Sequence, residues 1–234
     1  MRMKWVLAAC VLTGLVAMSG AAAEGQAGAT QAPTQTQTSR QTAPATPSYA
    51  ETDIGGSGYE AFTSSTTGNG TVETPSNGAG GMVELRHIHS PFIGYEMTYS
   101  FNAANASFAP TATGCGFVCQ NPPQKITSHG SVLGFDWVVS AKHGNLRPFL
   151  VGGLGFFIDY PTTFPTGTTY SNNDVVRPDY IYGGGVDWGF SSHLGLRLQY
   201  RGNLYKAPNI SHPYPATGKF TQTGMPMGGV YFQF

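Results

Sequence analysis

The stretch HLGLRLQYRGNLY, residues 193–205, alternates apolar and polar side chains with one interruption. Its leucines and Tyr200 fall on one face, and its arginines, Gln199 and Asn203 fall on the other. Because successive side chains of a β-strand point to opposite faces of a sheet, this period of two predicts a strand. In a soluble sheet the leucines would pack against a protein core. In a membrane barrel they would face lipid, and the arginines would face a closed polar interior.

The first residues, MRMKWVLAACVLTGLVAMSGAAAEG, have the three parts of a secretory signal peptide. Arg2 and Lys4 supply positive charge, an apolar run follows, and the alanines at 21–23 form a small-residue cleavage site. We therefore expect residues 1–23 to be removed on export, with an uncleaved anchor or a lipid-modified Cys10 as the alternatives. The rest of the sequence contains no apolar run long enough for a transmembrane helix.

Charged residues make up only 10% of the 234-residue chain, which also contains 32 glycines. A typical soluble domain has about 25% charged residues, so this chain is short of the charge that coats a soluble surface. Its net charge of zero gives no reason to expect a nucleic-acid partner. Residues 24–57 are rich in Gln, Thr, Ala and Pro and cannot bury enough apolar surface to fold, so we expect a disordered segment there.

Residues 58–234 contain eight candidate strands and no convincing amphipathic helix. The strands lie near 59–67, 79–88, 92–102, 126–140, 147–160, 178–190, 194–206 and 218–234. The connections after the second, fourth and sixth strands are tight, whereas the others are longer and mostly rich in Gly, Pro, Asn, Thr or Ser. This alternation over an even number of strands is typical of a transmembrane barrel with short periplasmic turns and longer extracellular loops. We therefore predict an all-β fold, an eight-stranded antiparallel up-and-down β-barrel.

The alternation within these strands separates two chemically distinct faces. One face is almost free of charge, and its aromatic residues gather toward the strand ends, as in an interfacial girdle. The other face collects small polar residues and eight charged ones: Glu84, Arg86, Glu96, Asp136, Arg147, Asp187, Arg197 and Arg201. An eight-stranded barrel has an interior that side chains can fill, and buried charges there must pair. We expect an interior charge network; the alternative is the wet face of an ordinary antiparallel sheet.

The chain ends MGGVYFQF, in which Val230, Phe232 and Phe234 alternate up to a terminal aromatic residue. This ending resembles the C-terminal signal that the bacterial barrel-assembly machinery recognises, and residues 59–234 resemble the small OmpA/OmpX-like outer-membrane β-barrels. The resemblance implies a monomer inserted in the bacterial outer membrane, in contact with its lipid and lipopolysaccharide. Two features depart from the family pattern. The first strand is poor in apolar residues, and Pro226 removes a hydrogen bond from the last strand, where a bulge would accommodate it.

Cys115 and Cys119 are the cysteines that remain after the signal peptide, and they lie in the longest predicted loop. An even number of cysteines in an exported chain favours a disulfide, and two cysteines without nearby histidines make a poor zinc site. Free thiols and a metal site are the alternatives. His129, beside Ser128 and Ser131, is the only hint of a nucleophile–base pair, and neither an orienting carboxylate nor an oxyanion site is visible beside it.

These patterns predict a non-enzymatic outer-membrane protein with a structural or surface-interaction role, presented by loops at 103–125 and 161–177. A narrow pore or an OmpW-like conduit for a small hydrophobic molecule is the alternative, and a lipid-modifying enzyme is a third possibility. No cofactor or metal is expected. The sequence carries no code for an extracellular ligand.

Overall fold

The computed structural model describes residues 50–111, 123–163, 174–211 and 214–234. Its strands are β1 Glu51–Thr63, β2 Thr66–Gly68, β3 Thr71–Pro75, β4 Gly78–Ile88, β5 Ile93–Pro110, β6 Gln124–Ser140, β7 Leu146–Thr163, β8 Val175–Gly189, β9 Leu194–Lys206 and β10 Phe220–Gln233. Within this described part of the chain, no helix is long and apolar enough to cross a membrane. The predicted signal peptide at 1–23 and the polar segment up to residue 49 lie outside it.

Eight of these strands close into a barrel. From β4 to β10, each strand pairs with the next one along the chain, and β1 pairs with both β4 and β10. All of these pairings are antiparallel, so the predicted eight-stranded antiparallel barrel is confirmed. The two short strands β2 and β3 form a hairpin, and β3 pairs with the part of β5 that extends past the end of β4.

The connections separate the two ends of the barrel. Three tight connections, at 89–92, 141–145 and 190–193, define what we call the turn end. The other connections define the loop end, and they span 64–77, 111–123, 164–174 and 207–219. The predicted alternation of short and long connections is therefore confirmed.

The β2–β3 hairpin turns at Asn69 and Gly70, whose φ angles are 50° and 79°. A two-residue turn with positive φ at both positions favours the Asn-Gly pair, because its twist matches that of the flanking strands. This pair was a sequence signal for the hairpin that our prediction of eight strands did not use.

The first strand begins at Glu51, earlier than the predicted span of 59–67. Residues 51–57, which we expected to be disordered, are therefore part of the barrel. The strand lacks an apolar alternation because several of its positions are glycine or serine. A Cβ on Gly55 would lie 2.5 Å from Oε1 of Glu84, so the small residue makes room for a buried carboxylate. Pairing with β4 and β10 supplies the order that the local sequence does not.

Pro226 does not produce the expected bulge. It lies opposite Tyr200, and the β9–β10 register is unbroken on both sides of it. Pairing of β10 with β1 is interrupted near Pro226 but resumes in the same register. The proline therefore interrupts the hydrogen bonds between β1 and β10 locally, and the register of the last strand stays unchanged.

The outward face of the barrel is apolar. Leu150, Leu154 and Leu198 are each more than 60% exposed. Large aromatic side chains lie at both ends of this surface; they include Trp137, Trp188 and Phe232 at the turn end and Phe62 and Phe220 at the loop end. The inward face carries the buried charges, so the predicted division into an apolar and a charged face is confirmed.

Candidate functional site

The barrel lumen contains the functional groups that the sequence suggested. Seven of the eight predicted charged residues are at most 3% exposed: Glu84, Arg86, Glu96, Asp136, Asp187, Arg197 and Arg201. They lie in the half of the lumen nearer the turn end. The structure brings them together with one residue that the sequence analysis missed, Asp53 of β1.

Arg86 and Arg201 share the carboxylate of Glu96. Nε of Arg86 donates to Oε2 of Glu96 at 2.7 Å, and Nη1 of Arg201 donates to Oε1 at 2.8 Å. Arg86 also donates through Nη1 to Oδ2 of Asp187 at 3.0 Å. Nη2 of Arg201 pairs with Asp136. Each arginine therefore joins two carboxylates on different strands.

Arg197 continues the chain of ion pairs. Its Nε and Nη2 donate to the two oxygens of Asp187 at 2.6 and 3.0 Å. Nη1 donates to Oε1 of Glu84 at 2.5 Å, and Nη2 also reaches Oδ1 of Asp53 at 3.2 Å. Gln199 donates to the second oxygen of Glu84 at 3.2 Å. The result is a continuous chain of charge-assisted hydrogen bonds from Asp136 on β6 to Asp53 on β1, which we call the lumen ion network.

Aromatic rings complete this layer. The guanidinium of Arg86 lies 4.1 Å from the ring centre of Phe149, and that of Arg197 lies 4.9 Å from the ring centre of Tyr231. Phe149 belongs to β7 and Tyr231 to β10, so every strand of the barrel wall contributes a side chain to the layer. The network and its rings fill the lumen at this level.

The lumen ion network is not electrically balanced. It contains three arginines and five carboxylates, those of Asp53, Glu84, Glu96, Asp136 and Asp187. We expected four acids and four bases, with Asp53 in a disordered segment and Arg147 inside the network. This half of the lumen therefore carries more acidic than basic groups.

Arg147 lies at the rim of the turn end and is not part of the lumen ion network. It pairs with Glu51, which also accepts a hydrogen bond from Nζ of Lys142 at 2.7 Å. Glu51 begins β1, whereas Arg147 and Lys142 lie in and beside β7, on the opposite side of the barrel. These ion pairs therefore bridge the mouth of the turn end.

The described residues of the β9–β10 connection, 207–211 and 214–219, cover the loop end. Ile210 and Tyr214 of this connection are buried against Ala106, Phe108 and Ile126 of β5 and β6. Because β6 lies opposite β10 in the barrel, the connection crosses the mouth.

Hydrogen bonds hold this connection in place. Oγ of Ser211 donates to Oε1 of Gln124 at 3.1 Å. Nδ2 of Asn69, in the β2–β3 turn, donates to the carbonyl oxygen of Ala216 at 2.8 Å. The hydroxyls of Thr66 and Thr217 lie 3.1 Å apart. The connection is thus tied to the hairpin on one side and to β6 on the other.

A cavity of about 60 Å³ lies beneath this cover, and we call it the loop-end chamber. Its polar lining includes Glu73, Asp159, Asn203, Tyr205 and Thr223. The hydroxyl of Tyr205 lies 3.0 Å from that of Thr223, and its ring stacks on Phe157 at 4.2 Å. None of these residues was singled out from the sequence, because the alternating pattern shows which face is inward but not how side chains meet across a lumen.

Glu73 lies on β3, which pairs with β5 past the end of β4, and it is 4% exposed. Burial raises the pKa of its carboxyl from 4.5 to about 7, and the negative charge of Asp159 adds to the rise, whereas a hydrogen bond with Thr66 opposes it. A carboxyl with this pKa changes from its protonated to its ionised form near neutral pH.

The remaining candidates are His129 with its serine neighbours and the two cysteines. His129 packs against Phe101, with 5.2 Å between ring centres, and no hydrogen bond of the described residues joins it to Ser128 or Ser131. Within the described ranges, no three His, Cys, Asp or Glu side chains are grouped to hold a metal ion. Cys115 and Cys119 lie outside those ranges, so their pairing stays a prediction.

The C-terminal residues end at the turn end. Val230 and Phe232 point outward from β10, and the amide of Phe234 donates to the carbonyl oxygen of Thr52 at 3.0 Å. Their recognition by an assembly machinery stays a prediction.

Solved structures share this architecture. The outer membrane protein OprG from Pseudomonas aeruginosa matches with a TM-score of 0.54 and 10% identity, over 79% of this chain and 95% of that chain. Neisserial surface protein A matches with a TM-score of 0.51 and 12% identity, over 78% of this chain and 97% of the other. The fold is that of the small outer-membrane β-barrels. At identities of 10% and 12%, the similarity to these two proteins shows a shared architecture alone.

No protein-family model matches the chain, and no curated protein sequence matches it.

Proposed function

We propose that this protein is an integral outer-membrane barrel, closed to bulk flow, that acts through its loop end at the cell surface in a structural or surface-interaction role. The observation that carries this proposal is the lumen ion network with its aromatic rings, a layer to which all eight strands contribute buried side chains across the lumen. Catalysis and open transport are not part of the proposed role.

The outward face supports the membrane location. Large exposed apolar surfaces are rare on soluble monomers, whereas a transmembrane barrel needs an apolar outer band with aromatic rings at both edges. A spanning strand needs about 9–11 residues. The shortest strand of the barrel wall, β4, has 11 residues, so each strand is long enough.

The two covers support a closed lumen. The ion pairs of Glu51 bridge the turn end, and the 207–219 connection crosses the loop end. Between them, the cavity of about 60 Å³ is too small for a solute of porin size. Glu73 and Asp159 in its lining also disfavour the alternative of a conduit for a hydrophobic molecule, because such a molecule would leave these buried carboxylates without partners.

Cell fractionation and gel mobility test the location. We expect the protein in the outer-membrane fraction, and we expect the unheated detergent-folded protein to migrate differently from the boiled sample. Recovery as a freely dissolved periplasmic protein would contradict the proposal.

Orientation is tested with short epitope tags on intact cells. A tag inserted in the loop-end connection at 164–174 should be labelled by antibody, and a tag in the turn at 141–145 should be labelled only after lysis. Labelling of the turn tag on intact cells would show that the protein acts through the other end. In this membrane we expect outer-membrane lipid and lipopolysaccharide to surround the monomer, after insertion by the barrel-assembly machinery.

The enzyme alternative is tested on lipid A. Mass spectra of lipid A from cells that overproduce the protein should match those from cells that lack it. A new or missing acyl chain in those spectra would contradict a non-enzymatic role.

A further inference from the structure

The loop-end chamber is an acidic site without a matching cation. Glu73 and Asp159 line it, and Asp179 lies directly behind Asn203, whose Nδ2 donates to Oδ2 of Asp179 at 2.5 Å. Among the described residues, no Lys, Arg or His forms an ion pair with any of these three carboxylates. Arg177, on the same face of β8 as Asp179, does not line the chamber.

Two buried oxygen atoms of the chamber lack hydrogen-bond partners within the described part of the chain. They are Oδ1 of Asp159 and Oδ1 of Asn203, on side chains that are 3% and 2% exposed. The bond from Asn203 to Asp179 fixes the orientation of the amide, so its oxygen remains available as an acceptor. Buried polar atoms are normally satisfied, and acceptors need a donor or a cation.

The chemistry of the lining selects a hard cation. Carboxylate, amide and hydroxyl groups offer oxygen ligands, and among the described residues neither histidine nor cysteine lines the chamber. Oxygen ligands suit ions such as Ca²⁺ and Na⁺. A volume of about 60 Å³ corresponds to roughly two water molecules, enough for one ion and a water. The excess of carboxylates in the lumen ion network makes the surrounding field negative, which favours cations and excludes anions.

We propose that the loop-end chamber binds one small metal cation of the Ca²⁺ or Na⁺ type. Asp159 and the Asn203 amide oxygen are its ligands, and Glu73 adds negative charge, with water completing the coordination. The ion links β7 and β9 of the barrel wall to the β2–β3 hairpin that carries Glu73, so binding stabilises the cover of the loop end. The role at the cell surface and the cation site are separate claims, and either one can fail alone.

Thermal unfolding of the detergent-folded full chain tests the site. After treatment with a chelator, the protein is heated with CaCl₂, NaCl, or choline chloride at matched ionic strength, and the folded fraction is measured by gel mobility. Choline is too large for the chamber. We expect Ca²⁺ or Na⁺ to raise the unfolding midpoint above its value in choline, since a ligand that binds only the folded state stabilises it.

Variants assign the effect to the chamber. Asp159→Asn and Glu73→Gln each remove a negative charge at nearly constant volume, and each should weaken cation binding at least tenfold in a calorimetric titration. Glu60→Gln is the matched control, because Glu60 is an exposed carboxylate on β1; it should bind as the unmodified protein does. The proposal is overturned if neither cation shifts the midpoint relative to choline, or if Asp159→Asn and Glu73→Gln retain the full shift.

Discussion

Arg197 binds Asp187 through both carboxylate oxygens, with Nε 2.6 Å from Oδ1 and Nη2 3.0 Å from Oδ2. The two residues lie directly opposite each other in the β8–β9 register. This two-point contact needs the flat fork of a guanidinium, which a lysine ammonium does not have. Removing one partner of a buried ion pair is more costly than the net stabilisation the pair provides, because the other charge stays buried.

Replacement of Arg197 by lysine keeps the charge and loses the fork. We expect Arg197→Lys to lower the free energy of unfolding by at least ~2 kcal/mol, since hydrogen bonds between charged groups contribute about 1.5–3 kcal/mol each. Urea titration of the protein in lipid vesicles, with folded fraction measured by gel mobility, gives this value. The control is Arg147→Lys at the rim of the turn end, for which the loss should stay below ~1 kcal/mol. Equal losses would mean that the ion pairs of the buried network stabilise the barrel no more than the ion pair at the rim does.

The glycines beside the lumen ion network are a test of its packing. A Cβ on Gly153 would overlap the carbonyl oxygen of Phe135 and the Asp136 carboxylate, whereas a Cβ on Gly152 would meet nothing within 4 Å. We therefore expect Gly153→Ala to destabilise the barrel by about 1–3 kcal/mol and Gly152→Ala to leave it unchanged. The same urea titration compares the two. A harmless Gly153→Ala would show that the network is looser than described.

The apolar outer band predicts that the free-energy cost of an arginine substitution depends on its depth in the bilayer. Leu154 lies near the middle of β7 and is 62% exposed, whereas Val176 lies at the loop end of β8 and is 51% exposed. In a bilayer, Leu154→Arg should cost about 2–4 kcal/mol and Val176→Arg about 0–1 kcal/mol. Unfolding from vesicles gives both values. Similar costs at the two positions would argue against a bilayer around this band.

The raised pKa of Glu73 gives a pH dependence with a definite sign. Burial, and then the charge of Asp159, raise this pKa to about 7 in the folded protein, above the ordinary value of 4.5. The folded state therefore holds the proton of Glu73 more tightly than the unfolded chain does. The contribution of Glu73 to the free energy of unfolding falls as pH rises from about 4.5 to about 7. The full change is roughly 3 kcal/mol, at about 1.36 kcal/mol per pKa unit.

This contribution is measured as the difference between the unmodified protein and Glu73→Gln. Both are unfolded at several pH values between 4.5 and 8 in choline buffer with a chelator. The unmodified protein should lose stability relative to the variant as pH rises. Two parallel curves would mean that Glu73 ionises as freely in the folded protein as in the unfolded chain.

The barrel wall was predictable because its strongest signals are local. The alternation of β9 and the tight turns predicted at 141–146 and 191–193 indicated both the strand count and the two faces. The first strand was misplaced because Gly55, Gly56 and Gly58 leave no apolar pattern, and its order comes from pairing with distant strands. In the same way, β5 and β7 extend beyond their predicted ends because neighbouring strands pair with them there.

The lumen was predictable in composition and not in geometry. Period-two alternation identified Arg86, Glu96 and Arg197 as inward-facing, and charge pairing followed from burial. Sequence spacing carries no information on which strands face each other across a lumen. It therefore could not separate Arg147 at the rim from the network, or bring Glu73 and Asp159 to one chamber.

Single-channel recording in planar bilayers is the most direct test of the closed lumen. With the folded protein incorporated at levels that give frequent openings for a known porin, we predict a silent bilayer. The reason is that the lumen ion network and its aromatic rings occupy the lumen and both mouths are covered. Stable openings of porin size from the unmodified protein would contradict the account.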